Sequence, residues 1–174
     1  DEIVHIGRLD GRQPQPGEEV SCAIDWDRRY RLMRMHTTAH ILGYCIKEIY
    51  GREVSFAGGS LGVEQSFDDF SARIPRADLP KIEDMINEIV SRDLPIKIFW
   101  LPRPEAESYL SRFGEKLTEL HAGISDVRIV EIEGVYACAC GGTHLRRTGE
   151  VGRVKLLKRE SKGRGITRIR YTLV

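Results

Sequence analysis

The sequence has 174 residues, of which 41% are hydrophobic and 30% are charged, a balance typical of a folded globular domain and unlike that of a disordered or fibrous chain. No apolar run reaches the roughly 18 residues that a membrane-spanning helix needs, and no signal peptide is visible. We therefore expect no membrane partner. The chain begins at Asp1 with residues typical of the middle of a strand, so we expect further sequence upstream.

The net charge of +1 is unevenly distributed along the chain. Residues 145–174 contain ten Lys or Arg and two Glu, a net charge of +8, so the other 144 residues carry −7. A basic end of this density indicates an anionic partner, most simply a nucleic-acid backbone. A solvated edge hairpin that uses Lys and Arg to block strand pairing is the alternative, and charge alone does not choose between them.

The cysteine content indicates the cellular compartment. The sequence contains four cysteines, and only Cys138 and Cys140 lie close together. Secreted disulfide scaffolds are smaller and richer in cysteine than this chain. Without an export signal, we expect a cytoplasmic protein with reduced thiols.

The first 25 residues are predicted to form two short strands. Residues 3–9 and 18–25 have strand-like composition and are separated by a turn rich in Pro and Gly. Two strands cannot stand alone. Residues 1–25 therefore either join the main sheet or form the end of a barrel whose start is absent.

The rest of the chain alternates helices and strands irregularly. Asp25 or Asp27 is expected to cap a long helix that ends near Gly51, Asp78 a second helix, and Pro104 opens a short third one. Glu64, Asp68 and Asp69 are interpreted as a solvated turn. The predicted strands are 97–101, 127–132, 135–139, 151–157 and 166–173. This order predicts an α+β fold rather than a doubly wound parallel sheet.

The strongest chemical signal is a pair of four-residue spacings. His36 and His40 lie one helical turn apart, so both imidazoles are on one face of the long helix. Cys140 and His144 have the same spacing around two glycines, which would let the chain curl until both side chains point to one place. Three imidazoles and a thiolate suit Zn²⁺ better than Mg²⁺ or Ca²⁺, which prefer oxygen.

Cys138 offers a competing spacing. Positions two apart on a strand face the same side, so Cys138 is a neighbour of the metal, a spare ligand or a packing residue. We favour Cys140 as the ligand because it shares the glycine loop with His144.

These motifs resemble a known family. The sequence HTTAH at 36–40, followed by CGGTH at 140–144, is similar to the editing domain of alanyl-tRNA synthetases and to the free-standing AlaX trans-editing proteins. The lead-in at 25–35 and the sequence TGEVG at 148–152 fit the same pattern. The resemblance implies a two-layer editing domain of the alanyl- and threonyl-tRNA synthetase type, with a mostly antiparallel sheet, over residues 26–174, preceded at 1–25 by the tail of a small β-barrel.

The resemblance also implies an activity, namely hydrolysis in trans of tRNA(Ala) that carries a wrong amino acid. The implied substrates are chiefly seryl-tRNA(Ala) and, second to it, glycyl-tRNA(Ala), and the sequence does not choose between them. Serine is larger than alanine by one hydroxyl group, and the pocket in which a synthetase attaches alanine rejects it poorly. A second site, which hydrolyses the ester, must therefore recognise that hydroxyl. The expected substrate-binding residues are Thr37, Thr38, Gly59 and Ser60.

The acceptor end of the tRNA is expected to lie along the basic C-terminal hairpin. The candidate phosphate contacts are Arg146, Arg147, Lys155, Lys158, Arg159, Lys162, Arg164, Arg168 and Arg170. Replacement of Arg168 and Arg170 is expected to weaken binding and flatten its salt dependence.

The four metal ligands raise a question of mechanism, because four protein ligands usually mark a structural zinc and catalysis needs an open position. We expect His36, His40, Cys140 and His144 to be catalytic through the metal, with one histidine rather than Cys140 yielding its place, or with an expanded coordination. Two alternatives stay open: an editing module of the threonyl-tRNA synthetase type, and a non-catalytic zinc-stabilised RNA-binding module.

Overall fold

The computed structural model describes residue 4 and residues 6–174, and these form an α+β fold. Its helices are α1 (Trp26–Tyr50), α2 (Leu79–Ser91) and α3 (Arg103–Ser111). Its strands are β1 (Phe56–Ser60), β2 (Ser66–Phe70), β3 (Ile96–Pro102), β4 (Asp126–Ile132), β5 (Tyr136–Ala139), β6 (Val154–Gly163) and β7 (Ile166–Leu173). Every strand pairing is antiparallel, as the sequence predicts.

Helix α1 begins and ends where its sequence provides caps. The carboxylate of Asp25 accepts a hydrogen bond from the Arg28 amide at 3.0 Å, so Asp25 rather than Asp27 is the N-cap. At the other end, Gly51 has φ of 108°, which favours glycine, and its amide donates to the Lys47 carbonyl.

The strands form two separate sheets. The larger sheet has the order β1-β2-β7-β6, and the smaller has the order β3-β4-β5. Helices α1 and α2 pack on the larger sheet, and α3 packs on the smaller one. Helix α1 also contacts β5 and therefore bridges the two sheets. This position brings the helical histidines to the end of β5.

The buried hydrophobic residues form two clusters, and the larger one includes Ile96, Val130 and Ile132 from one face of the smaller sheet. The larger core contains Met35, Ile41 and Leu42 of α1, Ile82 and its neighbours on α2, and the inward residues of the larger sheet. The smaller core lies between α3 and the smaller sheet and includes Ala106, Leu110 and Ile129. None of the helices in the described residues combines the length and the apolarity needed to cross a bilayer.

The strands predicted at 3–9 and 18–25 are not found. Residues 6–25 form no strand and are exposed, whereas Ile3 and His5 lie outside the described residues. Among the described residues, no strand pairs with residues 6–25, and an alternating pattern without a partner strand cannot form a sheet. The assignment of residues 1–25 to a barrel stays a prediction.

Two acidic residues also differ from their predicted roles. Asp78 makes no capping hydrogen bond to α2 and instead accepts one from the Tyr50 hydroxyl. Asp68 and Asp69 belong to strand β2 rather than to a solvated turn, and Asp68 is buried. In strand β7, Arg168 and Arg170 share one face, as predicted, opposite the buried face.

Candidate metal centre

The four predicted ligands converge on one point. His36, His40, Cys140 and His144 offer one ligand atom each, and these atoms all lie within 4.8 Å of one another. The Cys140 Sγ is 3.6 Å from Nε2 of His36 and 3.4 Å from Nε2 of His144. Helix α1 supplies two of the ligands, and the loop after β5 supplies the other two. This arrangement could hold a single metal ion.

The loop of residues 140–144 can approach α1 because of Gly142. A Cβ atom on Gly142 would lie 2.2 Å from Cε1 of His36 and 2.6 Å from its Nδ1, so any side chain at this position would force the ring or the loop to move. A Cβ atom on Gly141 would meet nothing within 4 Å. Of the two loop glycines, only Gly142 is therefore required by the contact with the histidine ring.

Two histidines are oriented by hydrogen bonds on the nitrogen that does not face Cys140. Nδ1 of His36 is 3.3 Å from the Thr143 carbonyl, and Nδ1 of His144 is 3.2 Å from the Thr37 hydroxyl. A proton on each Nδ1 leaves the Nε2 lone pair free for a metal ion, as outer partners of metal-binding histidines commonly ensure.

Thr37 and Thr38 are both fully buried, and each hydroxyl is bonded within the protein. Thr37 also accepts a hydrogen bond from the Leu145 amide at 3.4 Å, so it joins α1 to the loop. The hydroxyl of Thr38 donates to the Arg34 carbonyl one turn earlier in α1 at 2.9 Å. These contacts favour a supporting role for Thr37 beside His144.

Arg128 of β4 holds the ligand loop against the small sheet. Its Nη1 donates to the Gly142 carbonyl at 2.9 Å and also to the Cys140 carbonyl. The Cys140 amide in turn donates to the Arg128 carbonyl at 3.1 Å. Sequence reasoning missed this residue, although a charged side chain in an apolar strand was a signal that could have found it.

Burial sets the protonation of the centre. Burial lowers the pKa of His36, lowers that of His40 well below its usual range, and lowers that of His144 to about 3. The positive charge of Arg128 adds to each of these shifts. Near neutral pH the three imidazoles are therefore uncharged, which is the form that binds metal ions.

The thiol of Cys140 behaves differently. Burial raises its pKa, whereas the Gly142 amide and Arg128 oppose that rise. A cation in the centre would replace the thiol proton, because thiol ligands bind metals as thiolates. Three neutral nitrogens and one sulfur are a donor set that fits Zn²⁺ and does not fit the oxygen-seeking Mg²⁺ or Ca²⁺.

Cys138 lies next to the centre but outside the group of four. Its Sγ is 3.4 Å from Nδ1 of His40 and 4.0 Å from Nε2. Burial raises its pKa well above the usual value, and the nearby Cys140 and Glu115 add to this shift. Of the roles predicted for Cys138, the geometry favours that of a neighbour of the metal centre over that of a ligand.

Gly59 and Ser60 lie on β1, the edge strand of the larger sheet. A Cβ atom on Gly59 would lie 2.6 Å from Oδ1 of Asp68 and 2.9 Å from the Phe67 carbonyl, so this position requires glycine. Ser60 is exposed at the end of the strand. Within the described residues, neither Gly59 nor Ser60 hydrogen-bonds to the four metal-ligand candidates.

Several of the predicted phosphate contacts are already paired with carboxylates. Arg168 makes two hydrogen bonds to Asp69, at 2.8 and 2.9 Å, and its guanidinium lies 3.6 Å from the centre of the Phe67 ring. The other pairs are Arg147 with Asp93, Lys155 with Glu83, and both Lys158 and Arg170 with Glu160.

Among the described residues, four candidates have no carboxylate partner, namely Arg146, Arg159, Lys162 and Arg164. Arg159, Arg164 and Arg73 line a cleft at the tip of the β6–β7 hairpin. No acidic residue lines that cleft.

The motif at 148–152 supports the loop from its C-terminal side. One carboxylate oxygen of Glu150 accepts hydrogen bonds from the amides of Arg146 and Arg147, both at 3.0 Å. The other oxygen accepts one from the Tyr30 hydroxyl of α1 at 3.1 Å. Glu150 therefore fixes the chain that leaves His144 to the same helix that carries His36 and His40.

Comparisons with known proteins match this description. Residues 127–170 match the family described as the threonyl and alanyl tRNA synthetase second additional domain. The chain is 42% identical over 163 residues to an alanyl-tRNA editing protein AlaX-M of Methanosarcina barkeri, covering 91% of this chain and 65% of the relative. It is 36% identical to the protein of that name from Methanosarcina acetivorans, covering 99% of this chain and 76% of the relative.

The same similarity extends to a much larger protein. The chain is 38% identical over 179 residues to an alanine–tRNA ligase of Pyrobaculum calidifontis, covering 98% of this chain but only 19% of the ligase. The chain thus corresponds to one part of that ligase, and it spans about two thirds to three quarters of the AlaX-M relatives.

Proposed function

Because this chain belongs to the alanyl-tRNA editing protein family, we propose that it is an aminoacyl-tRNA deacylase that hydrolyses mischarged tRNA(Ala) in trans. The observation that carries the proposal is the convergence of His36, His40, Cys140 and His144 within 4.8 Å. The names of the similar proteins support tRNA(Ala) as the partner. The compartment we propose is the cytoplasm.

The proposed cofactor is Zn²⁺ held by these four side chains. When bound, Zn²⁺ supplies a Lewis acid for the ester carbonyl or for the attacking water. Residues of the chain orient the groups that would bind the ion. Thr37 orients the ring of His144, the Thr143 carbonyl orients that of His36, and Arg128 hydrogen-bonds to the loop at Gly142. Gly141 and Thr143 of this loop are exposed.

The proposed substrates are seryl-tRNA(Ala) chiefly and glycyl-tRNA(Ala) in addition. A hydrolytic site that hydrogen-bonds the serine hydroxyl rejects alanine, because alanine leaves the polar groups of the site unpaired. Of the four residues predicted to bind substrate, Ser60 has an exposed hydroxyl, whereas those of Thr37 and Thr38 are buried and bonded. We therefore propose Ser60, beside Gly59, as the substrate contact and Thr37 as a positioning residue.

The test compares hydrolysis of seryl-, glycyl- and alanyl-tRNA(Ala) side by side. We expect the first to be hydrolysed fastest and the third to be spared. His36→Ala and Cys140→Ser should lose the activity, and Cys22→Ser is the matched control because Cys22 is an exposed cysteine outside the group of four candidate ligands.

Two results would contradict the proposal in different ways. A protein that binds tRNA but leaves every ester intact would be the non-catalytic zinc-stabilised RNA-binding module. Full seryl-tRNA hydrolysis after stoichiometric removal of the metal would reduce zinc to a structural role.

A further inference from the structure

One face of the three-stranded sheet carries both the ligand loop and an exposed tryptophan. In an antiparallel ladder, directly opposed residues point to the same face. Trp100 of β3 is opposite Arg128 of β4. The register of β4 with β5 places Cys140 opposite Arg128, and the hydrogen bond from the Cys140 amide to the Arg128 carbonyl at 3.1 Å continues that register. Trp100, Arg128 and Cys140 therefore form one row across the sheet.

The next row on this face confirms its direction. Ile98 is opposite Val130, and Val130 is opposite Cys138. The Sγ of Cys138 is 3.4 Å from Nδ1 of His40, so this row also points toward the metal centre. Helix α3 covers the opposite face of the sheet.

Trp100 is left uncovered at the edge of this face. Its side chain is 61% exposed, and that of Ile98, two residues earlier, is 38% exposed. The guanidinium carbon of Arg128 lies 5.9 Å from the centre of the Trp100 ring. The same guanidinium donates to the loop carbonyls of Cys140 and Gly142. A flat aromatic surface and a fixed cation thus border the metal centre together.

The spacing of this surface from the centre corresponds to about one nucleotide. Two strand spacings separate Trp100 from Cys140, or roughly 10 Å between their backbones. In an aminoacyl-tRNA, the ester is carried by the ribose of the 3′-terminal adenosine, so the adenine is separated from the ester by a single sugar. An ester held at the centre therefore brings its base within reach of Trp100.

We infer that Trp100, with Arg128 beside it, is the stacking surface for the adenine of the 3′-terminal nucleotide. The inference rests on the proposed function and adds a nucleobase site to it. Stacking on an aromatic ring needs no contact with the base edges, and a nearby guanidinium strengthens it. Such a site recognises the 3′-terminal adenosine that every tRNA shares. Discrimination between amino acids is then left to the groups around the metal centre.

The test measures binding of uncharged tRNA(Ala), with and without its terminal adenosine, to the wild-type chain and to variants. For wild type, removal of the adenosine should weaken binding about 10-fold, within the range that stacking of one base provides. Trp100→Ala should bind both RNAs equally, with the affinity that wild type has for the truncated RNA. Trp100→Tyr should keep most of the difference.

The chain contains a matched control. It has two tryptophans, and Trp26, at the start of α1, is 58% exposed and stacks on Tyr30 with ring centres 6.1 Å apart. Trp26→Ala should behave like wild type. In a Trp26→Phe background, Trp100 is the sole tryptophan, and adenosine 5′-monophosphate should quench its fluorescence.

The inference would be overturned if wild type bound both RNAs alike, or if Trp100→Ala weakened both to the same extent. Neither result depends on ester hydrolysis. Failure of the proposed function would instead appear as intact seryl-tRNA in the presence of wild type, whatever the binding of uncharged RNA shows.

Discussion

The contact between Gly142 and the ring of His36 determines which side chain position 142 accepts. An added methyl group at this position would lie 2.2 Å from Cε1 of the ring, so either the ring or the loop must move. We expect Gly142→Ala to displace His36 and to lower the affinity for zinc by about 10- to 100-fold, the range seen when groups that orient a ligand are lost. Competition with a chromogenic chelator would measure that affinity.

Gly141→Ala is the matched control for this prediction. It adds the same methyl group one residue earlier, where nothing lies within 4 Å. We expect zinc affinity close to that of wild type and an unchanged melting temperature. Equal zinc affinity in both variants would show that His36 does not need its present position to bind the metal.

At the residue scale, spacing predicted which four candidate ligands converge but not the groups that orient them. His36 and His40 could be placed on one face because helical geometry fixes the separation of positions i and i+4. Arg128 could not be found in this way, since its role depends on the register of β4 with β5, which pairs residues far apart in sequence. The same holds for Glu150, whose partner Tyr30 is 120 residues away.

Strand β2 contains a buried acid with an unsatisfied oxygen. Oδ2 of Asp68 is buried and has no hydrogen-bond partner among the described residues. Burial raises the pKa of Asp68 to about 7, and the charge of Asp69 adds to this shift, whereas the Tyr171 hydroxyl opposes part of it. Near neutral pH, this strand therefore holds a carboxyl group that is partly protonated.

The raised pKa of Asp68 predicts how stability depends on pH. Between about pH 4 and pH 7 the folded chain keeps a proton on Asp68 that the unfolded chain has lost, so the free energy of unfolding falls as pH rises, by at most about 1.4 kcal/mol per pH unit. The stabilisation is complete below about pH 4 and is lost as pH rises through about 7. We expect Asp68→Asn to flatten this dependence, as measured by urea unfolding at several pH values.

The adjacent acid provides the control for this experiment. Asp69 faces the other side of β2 and is paired with Arg168 at 2.8 Å. Asp69→Asn should lower stability throughout this pH range and leave most of the wild-type slope in place, because the charge of Asp69 contributes less to the raised pKa of Asp68 than burial does. A wild-type slope in Asp68→Asn would mean that another group binds the proton.

At the element scale, the sequence predicted the helices and strands whose ends are marked by capping residues or whose hydrophobic residues recur on one buried face. Helix α1 is an example, because Asp25 and Gly51 mark its ends locally. The prediction of strands at 3–9 and 18–25 was wrong because a strand needs a partner strand, and the described part of this segment has none. Asp68 was assigned to a turn because an acid in a buried strand contradicts the usual hydropathy pattern.

At the scale of the whole molecule, the positive charge of the C-terminal hairpin is divided into paired and unpaired parts. Arg168 and Arg170 lie close to Asp69 and Glu160, which offset their charge. Lys162 and Arg164, at the hairpin tip, are exposed and have no carboxylate partner among the described residues. The sequence analysis singled out Arg168 and Arg170 among these cations but could not reveal their carboxylate partners, because pairing across strands is set by register and not by composition.

This division changes the expected response of tRNA binding to salt. Each cation that neutralises a phosphate releases about one counterion, so its loss lowers the slope of log affinity against log salt by about 1. We expect Lys162→Gln with Arg164→Gln to lower the slope by about 2, and Arg168→Gln with Arg170→Gln to lower it less, because Asp69 and Glu160 already occupy those guanidinium groups.

Titrations of labelled tRNA(Ala) at several salt concentrations, with melting temperatures of both variants as controls, would measure the slopes. A larger effect from Arg168 and Arg170 would mean that the RNA displaces both carboxylates and binds across the face of the larger sheet instead of at the hairpin tip.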